Sequence, residues 1–219
     1  MAGSKRRAIL ASTLILLLLL GIAVAIACQK VTVVQTSAAT LEFDVPESTP
    51  RVRKIFVRSN ATQDLVAMSD ATLLAQDWTD LKLGIEGRLL DRDWKLDGGG
   101  TIVVKFRDDY LGEHELTMKQ TVHVEPNALT SLTELKEVNS PVQTYRNEIT
   151  LQPNASGGTR VSLDLSLQVQ TKALRIAQAE VKRQIKASAA SSVEGQKSAI
   201  LALIKKHDGQ LMILPQLGK

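Results

Sequence analysis

The sequence predicts an α+β chain: one strand and two short helices, then about six antiparallel strands, then one long C-terminal helix, all preceded by one transmembrane helix. Three observations predict it. Residues 8–27 form an unbroken uncharged run; the stretch after Trp78 alternates apolar and polar residues in segments separated by turn residues; and from Thr171 the apolar period lengthens from two residues to that of a helix.

The first segment reads AILASTLILLLLLGIAVAIA from Ala8 to Ala27. Twenty residues rising ~1.5 Å each span about 30 Å, the thickness of a bilayer's hydrocarbon core. Lys5, Arg6 and Arg7 precede the run and no basic cluster directly follows it, so the positive-inside rule keeps the N-terminus cytoplasmic. The expected protein is single-pass, with its domain extracytoplasmic, periplasmic or at the surface of a bacterial cell. A second reading uses Cys28: VAIAC is similar to the lipobox of bacterial lipoprotein signal peptides, with Ala25 where leucine is usual, and would make Cys28 a lipidated N-terminus. Simple cleavage is the third reading. The run exceeds the ~7–15 residues of a signal-peptide core, which favours an uncleaved anchor.

Composition limits the rest. A chain of 219 residues holds this segment and one domain. Lys5, Arg6 and Arg7 supply three of the formal +4, so residues 8–219 carry +1 and nothing points to a nucleic-acid partner. The remainder is polarised, because nine Lys/Arg against three acidic residues from Thr171 onward leave residues 8–170 at −5. With Cys28 as the only cysteine, no intrachain disulfide and no thiolate metal cluster can form. The expected division is a basic flank 1–7, an anchor 8–28, an extended linker 29–50 with room for one short strand, a domain 51–207 and a tail 208–219.

Within the domain, RVRKIFVRS from Arg51 to Ser59 alternates as a first strand that ends at a Ser59-Asn60 helix cap. Ala61 to Ala75 suits two short helices, the second restarting at Asp70. Strands are expected over Leu81 to Asp91, Thr101 to Arg107, Glu113 to Glu125, Leu129 to Val138 and Val142 to Gln152, with Gly98 to Gly100 and Pro126-Asn127 in turns. The clearest strand is Thr159 to Val169, where Val161, Leu163, Leu165, Leu167 and Val169 share one face and polar residues the other. From Thr171, Leu174, Val181, Ile185, Val193, Ile200 and Leu203 form a helical stripe, with Gly195 as a weak point.

This order, with KIFVRSNATQDLVAMSD, LQPNASGGTRVSLDLSLQV and VEGQKSAILALIKKH as its local carriers, resembles the START-related helix-grip superfamily (SRPBCC, or polyketide-cyclase/dehydrase-like) over roughly residues 51–207. The resemblance implies a curved antiparallel sheet of about six or seven strands around the C-terminal helix. A cavity between them would often hold a lipid, a sterol or another apolar molecule. Trp78 stands where members commonly carry a tryptophan, but aromatic residues make up only 3% of the chain, so aliphatic side chains would line the cavity. The expected lining is His114, Leu116, Met118, Gln120, Val161, Leu163, Leu165, Val193 and Ile200.

The titratable cluster is GEHE, Gly112 to Glu115, with His123 beyond it. On a regular strand His114, Leu116, Met118, Gln120, Val122 and Val124 share the apolar face, while Glu113, Glu115, Lys119, His123 and Glu125 face water. An inward His114 suits acid/base chemistry or orientation of a ligand's polar head; a strand-edge histidine with a backbone partner is the commoner case. Glu113, His114 and Glu115 alternate faces and cannot converge on a metal, and no cofactor is expected. Arg146 and Glu148 share a face as a solvated stripe or as a buried pair beside a ligand. Gly98 to Gly100 lack the strand-to-helix context of a phosphate loop. Asn60 and Asn154 match glycosylation sequons by chance frequency. Lys172, Arg175, Lys182, Arg183, Lys186, Lys205 and Lys206 make the last helix basic, either as a solvated face or beside anionic headgroups.

The expected function is therefore a membrane-anchored domain that binds a hydrophobic small molecule or lipid. Its rivals are a cyclase- or hydrolase-like enzyme using His114, and an interaction domain whose cavity its own side chains fill.

Overall fold

The computed structural model describes residues 24, 26–57, 61–68, 71–85, 94–108, 112–138 and 141–208. Strand β1 (Lys30–Val45) is followed by helices α1 (Thr49–Phe56) and α2 (Ala61–Ala67), strands β2 (Thr72–Ile85), β3 (Trp94–Asp108), β4 (Gly112–Glu125), β5 (Ala128–Leu135), β6 (Val142–Pro153) and β7 (Thr159–Leu174), a 3-10 turn at Arg175–Ala177, and helix α3 (Gln178–Lys206). The seven strands form one antiparallel sheet in the order β1-β7-β6-β5-β4-β3-β2. Since β1 and β2 are the two edges, α1 and α2 carry the chain from one side of the sheet to the other. One sheet, two short helices and one long C-terminal helix fit the helix-grip α+β fold.

Strands β4 to β7 lie within a few residues of their expected ranges, because alternation marks a half-buried strand directly. Several other expectations need correction. Residues 29–50, expected as a linker, contain the 16-residue strand β1. Its inward face (Val31, Val33, Ala39, Leu41, Phe43, Val45) is interrupted by Gln35 and Ser37, which breaks the apolar alternation, and the strand is held by β7 along its whole length. Across that pair Leu41 opposes Leu163 and Phe43 opposes Val161 on the inner face. Outside, Thr40 donates to Asp164 at 2.6 Å and Arg160 meets Asp44 at 3.3 Å.

Residues 51–56, expected as a strand, are helical. Pro50 falls in the first turn, where its missing N–H costs nothing, and Val52 and Ile55 are buried at a spacing of three. The expected cap at Ser59-Asn60 lies outside the described residues. Residues 72–75, expected in a second short helix, begin β2, which ends at Ile85; residues 86–91 of the expected 81–91 strand are outside the described residues.

Gly98 to Gly100 sit inside β3, not in a turn. Beside them β2 bulges between Trp78 and Asp80, and a Cβ on Gly100 would stand 2.3 Å from the Asp77 carbonyl oxygen, so only glycine allows the close approach. Strand β7 continues to Leu174 before the helical period begins, and α3 runs unbroken through Gly195.

The expected anchor, residues 8–28, lies outside the described residues apart from Val24 and residues 26–28. Among the described residues no helix is long and apolar enough to cross a membrane.

The core is split. α3 packs chiefly on β1 and β7, and Val161, Leu163, Leu165, Ala189, Val193, Ile200 and Leu203 belong to the larger buried cluster. A second cluster, Ile102, Val104, Leu116, Met118 and Val142, lies further across the sheet.

Candidate ligand cavity

A cavity of about 1180 Å³ is bounded by α1, α2, α3 and the inner face of β2 to β7. Its volume slightly exceeds the roughly 300–1,000 Å³ of usual ligand sites, which corrects the expectation of a cavity filled by its own side chains. The walls follow from the strand alternation: Ile102, Val104 and Phe106 of β3 and Leu116, Met118, Val122 and Val124 of β4 turn inward. On the facing side α3 presents small residues, Ala187, Ser188, Ser191, Ser192 and Gly195. Short side chains there leave space that larger ones would fill.

Of the residues expected to line the cavity, Leu116, Met118, Gln120 and Ile200 do so. Val161, Leu163, Leu165 and Val193 are fully buried in the larger core cluster instead, because α3 covers that part of β7 directly. The cavity portion of β7 lies further along, at Leu167, Val169 and Thr171.

His114 is half-buried near the start of β4, opposite Phe106, with ring centroids 5.9 Å apart. The Phe106 ring lines the cavity; His114 is not among the lining residues. Arg146 and Glu148 pair at 2.6 Å on the outer face as a solvated stripe. His123 pairs with Asp97 and lies 3.4 Å from Glu125 on that same outer face.

Several lining residues escaped the sequence reading. Asn147 stands on the inner face of β6 with Ile149 and Leu151, only 9% exposed, and a polar residue at an apolar register position was the signal for it. Gln76 falls just past the stretch read as helical and before the first expected strand after Trp78, and Gln196 carries no sequence signal. Register places Gln120 of β4 opposite Thr133 of β5, and Thr133 opposite Asn147 of β6, so a polar row crosses the otherwise apolar inner face. Ser131, one pleat along β5, accepts from Gln120 Nε2 at 3.4 Å. Burial pushes the Tyr145 phenol up to about 12, so it is a neutral group at working pH. Arg107 and Lys172 contribute lining cations at the end of the sheet where β3 and β7 finish, and no carboxylate lines the cavity among the described residues. These groups can enclose an apolar skeleton and hydrogen-bond to its uncharged substituents.

A ligand-sized cavity gripped between a seven-stranded antiparallel sheet and a long C-terminal helix defines the class as a helix-grip domain. No family model matches the chain, and no curated protein does. Solved structures of similar architecture include TTHA0849 from Thermus thermophilus, 12% identical over 78% of this chain and 99% of that one, with a TM-score of 0.49. Another is the Zhui aromatase/cyclase from a Streptomyces species, 11% identical over 79% and 96%, TM-score 0.49. A third is SA2116 from Staphylococcus aureus, 10% identical over 81% and 98%, TM-score 0.48. The likeness is one of fold and assigns no activity.

Proposed function

We propose that this chain is a ligand-binding domain that holds a hydrophobic small molecule or lipid between sheet and C-terminal helix, tethered to a membrane by residues 8–28 with the domain on the extracytoplasmic side. The cavity of about 1180 Å³ carries the reading. Apolar walls around so large a space gain free energy, at roughly 25 cal/mol per Å² of apolar surface, when an apolar occupant replaces water.

The tether rests on the sequence of residues 8–27 and on the short spacing from Cys28 to the start of β1 at Lys30. A spanning helix that ends there would hold the Lys30 end of the sheet, with Lys172 and Arg175, near the headgroups. Full-length protein purified in detergent and extracted with organic solvent is expected to release an apolar compound in near-stoichiometric amount. Absence of any such compound, together with no binding of apolar fluorescent probes, would overturn ligand binding. Release from membranes by carbonate at high pH would overturn the anchor, and the mass of the mature chain distinguishes a lipidated Cys28 from an uncleaved helix.

A further inference from the structure

Resting on that reading, the amides of the cavity wall narrow the ligand. Gln76 on β2, Gln120 on β4, Asn147 on β6 and Gln196 on α3 all line the cavity. Each keeps one buried amide atom without a hydrogen-bond partner: Nε2 of Gln76, Oε1 of Gln120, Oδ1 of Asn147 and Oε1 of Gln196. The Gln120 amide is oriented by its donation to Ser131 Oγ at 3.4 Å, which leaves the carbonyl oxygen as the end in need of a donor.

An orphaned buried polar atom has lost its water without gaining a partner, and natural interiors hold few of them. Four of them, on residues from four separate elements around one cavity, are therefore a cluster with a shared cause. Terminal amide torsions are broad, so a modest rotation brings each group to a partner inside the cavity.

The chemistry of that partner follows from charge. Amides donate and accept but neutralise nothing, and the lining cations Arg107 and Lys172 stand at one end of the sheet, away from the polar row at Gln120 and Asn147. A charged group placed at that row would lose its hydration without a counter-charge. We propose that the cavity selects an uncharged apolar molecule bearing hydroxyl or carbonyl groups spaced along its skeleton, and discriminates against both bare hydrocarbons and fatty-acid carboxylates.

The test uses full-length protein in detergent and three probes: testosterone, its hydrocarbon parent androstane, and oleate. Testosterone is expected to bind at least about tenfold more tightly than either of the others, since a site built to hydrogen-bond a substituent rejects the analogue lacking it. In the double variant Gln120→Leu, Asn147→Leu this preference disappears while androstane affinity is kept or improved. Asn147→Leu alone, without ligand, leaves the Tm unchanged or raises it, because it removes an unpartnered polar atom from a wall with room for a larger side chain. Equal binding of androstane or oleate, a preference that survives the double variant, or a Tm fall of several degrees in Asn147→Leu would each overturn this inference while leaving ligand binding standing. Failure of all three probes to bind overturns this inference, and together with no apolar compound released on extraction it overturns ligand binding as well.

Discussion

Leucine truncation at two buried positions of the same sheet separates packed core from cavity wall. Leu163 of β7 is fully buried between Leu41 on β1 and Ile149 on β6, in the cluster under α3. Leu116 of β4 is 5% exposed and lines the cavity. Both changes to alanine remove the same apolar atoms, worth about 2 kcal/mol of transfer free energy at ~0.8 kcal/mol per methylene equivalent. At Leu163 the space left behind is a new void; on the order of 70 Å³ at ~24 cal/mol per Å³ adds nearly 2 kcal/mol, giving about 4 kcal/mol in all. At Leu116 the vacated space joins a cavity that already exists, so the void contribution largely drops out and the cost stays near 2 kcal/mol. Urea denaturation followed by circular dichroism reads the difference: with a slope of roughly 2 kcal/mol per molar, the midpoint falls by about 2 M for Leu163→Ala and about 1 M for Leu116→Ala. Equal losses, or a larger loss at Leu116, would refute the placement of the cavity beside β4.

Arg53 is 8% exposed, its charged form disfavoured by burial, and it donates to the carbonyls of Glu125 and Pro126 at the β4–β5 turn. Arg53→Met is expected to cost about 1–3 kcal/mol by urea titration and to speed amide exchange at that turn; unchanged exchange would show the contact is idle. Two glycines should respond in opposite directions. Nothing lies within 4 Å of a Cβ on Gly195 in α3, so Gly195→Ala is expected to raise stability by about 0.5–1 kcal/mol, whereas a Cβ on Gly158 would stand 2.3 Å from the Val45 carbonyl oxygen and Gly158→Ala should destabilise the β1–β7 pairing. Calorimetric Tm values of the same sign for both would contradict the geometry. Tyr145 ionises near 12 when folded against 10.0 when free, so the unfolded chain releases that proton first and stability falls as pH rises above about 10, with no effect below it. The urea midpoint of the native protein relative to that of Tyr145→Phe, followed from pH 8 to 11, should fall over the last unit; a constant difference would place the phenol in water.

What could be read in advance follows from what a residue pattern encodes. Alternation in Glu113 to Glu125, Val142 to Gln152 and Thr159 to Val169 assigns alternate side chains to opposite faces of a strand by geometry alone, so β4, β6 and β7 were legible, with the inward residues of β4 and β7, as was the helical period of α3. Short segments lack that redundancy: Arg51 to Phe56 satisfies either period over six residues, and tertiary packing of Val52 and Ile55 decided for the helix. β1 was hidden for another reason. Its apolar alternation is broken at Gln35 and Ser37, and its pairing comes from β7, more than a hundred residues away, a partner no local window contains.

The cavity shows the same division. The sequence by itself determined that Leu116, Met118, Val161, Leu163 and Leu165 leave water, because each sits on the apolar face of its strand. Only the tertiary structure decided what lies opposite them: α3 rests on β1 and β7, so the β7 residues meet a helix, while those of β4 meet open space. Burial is a property of the pattern along one strand, whereas a cavity exists where two elements fail to touch, and that depends on where the last helix lands.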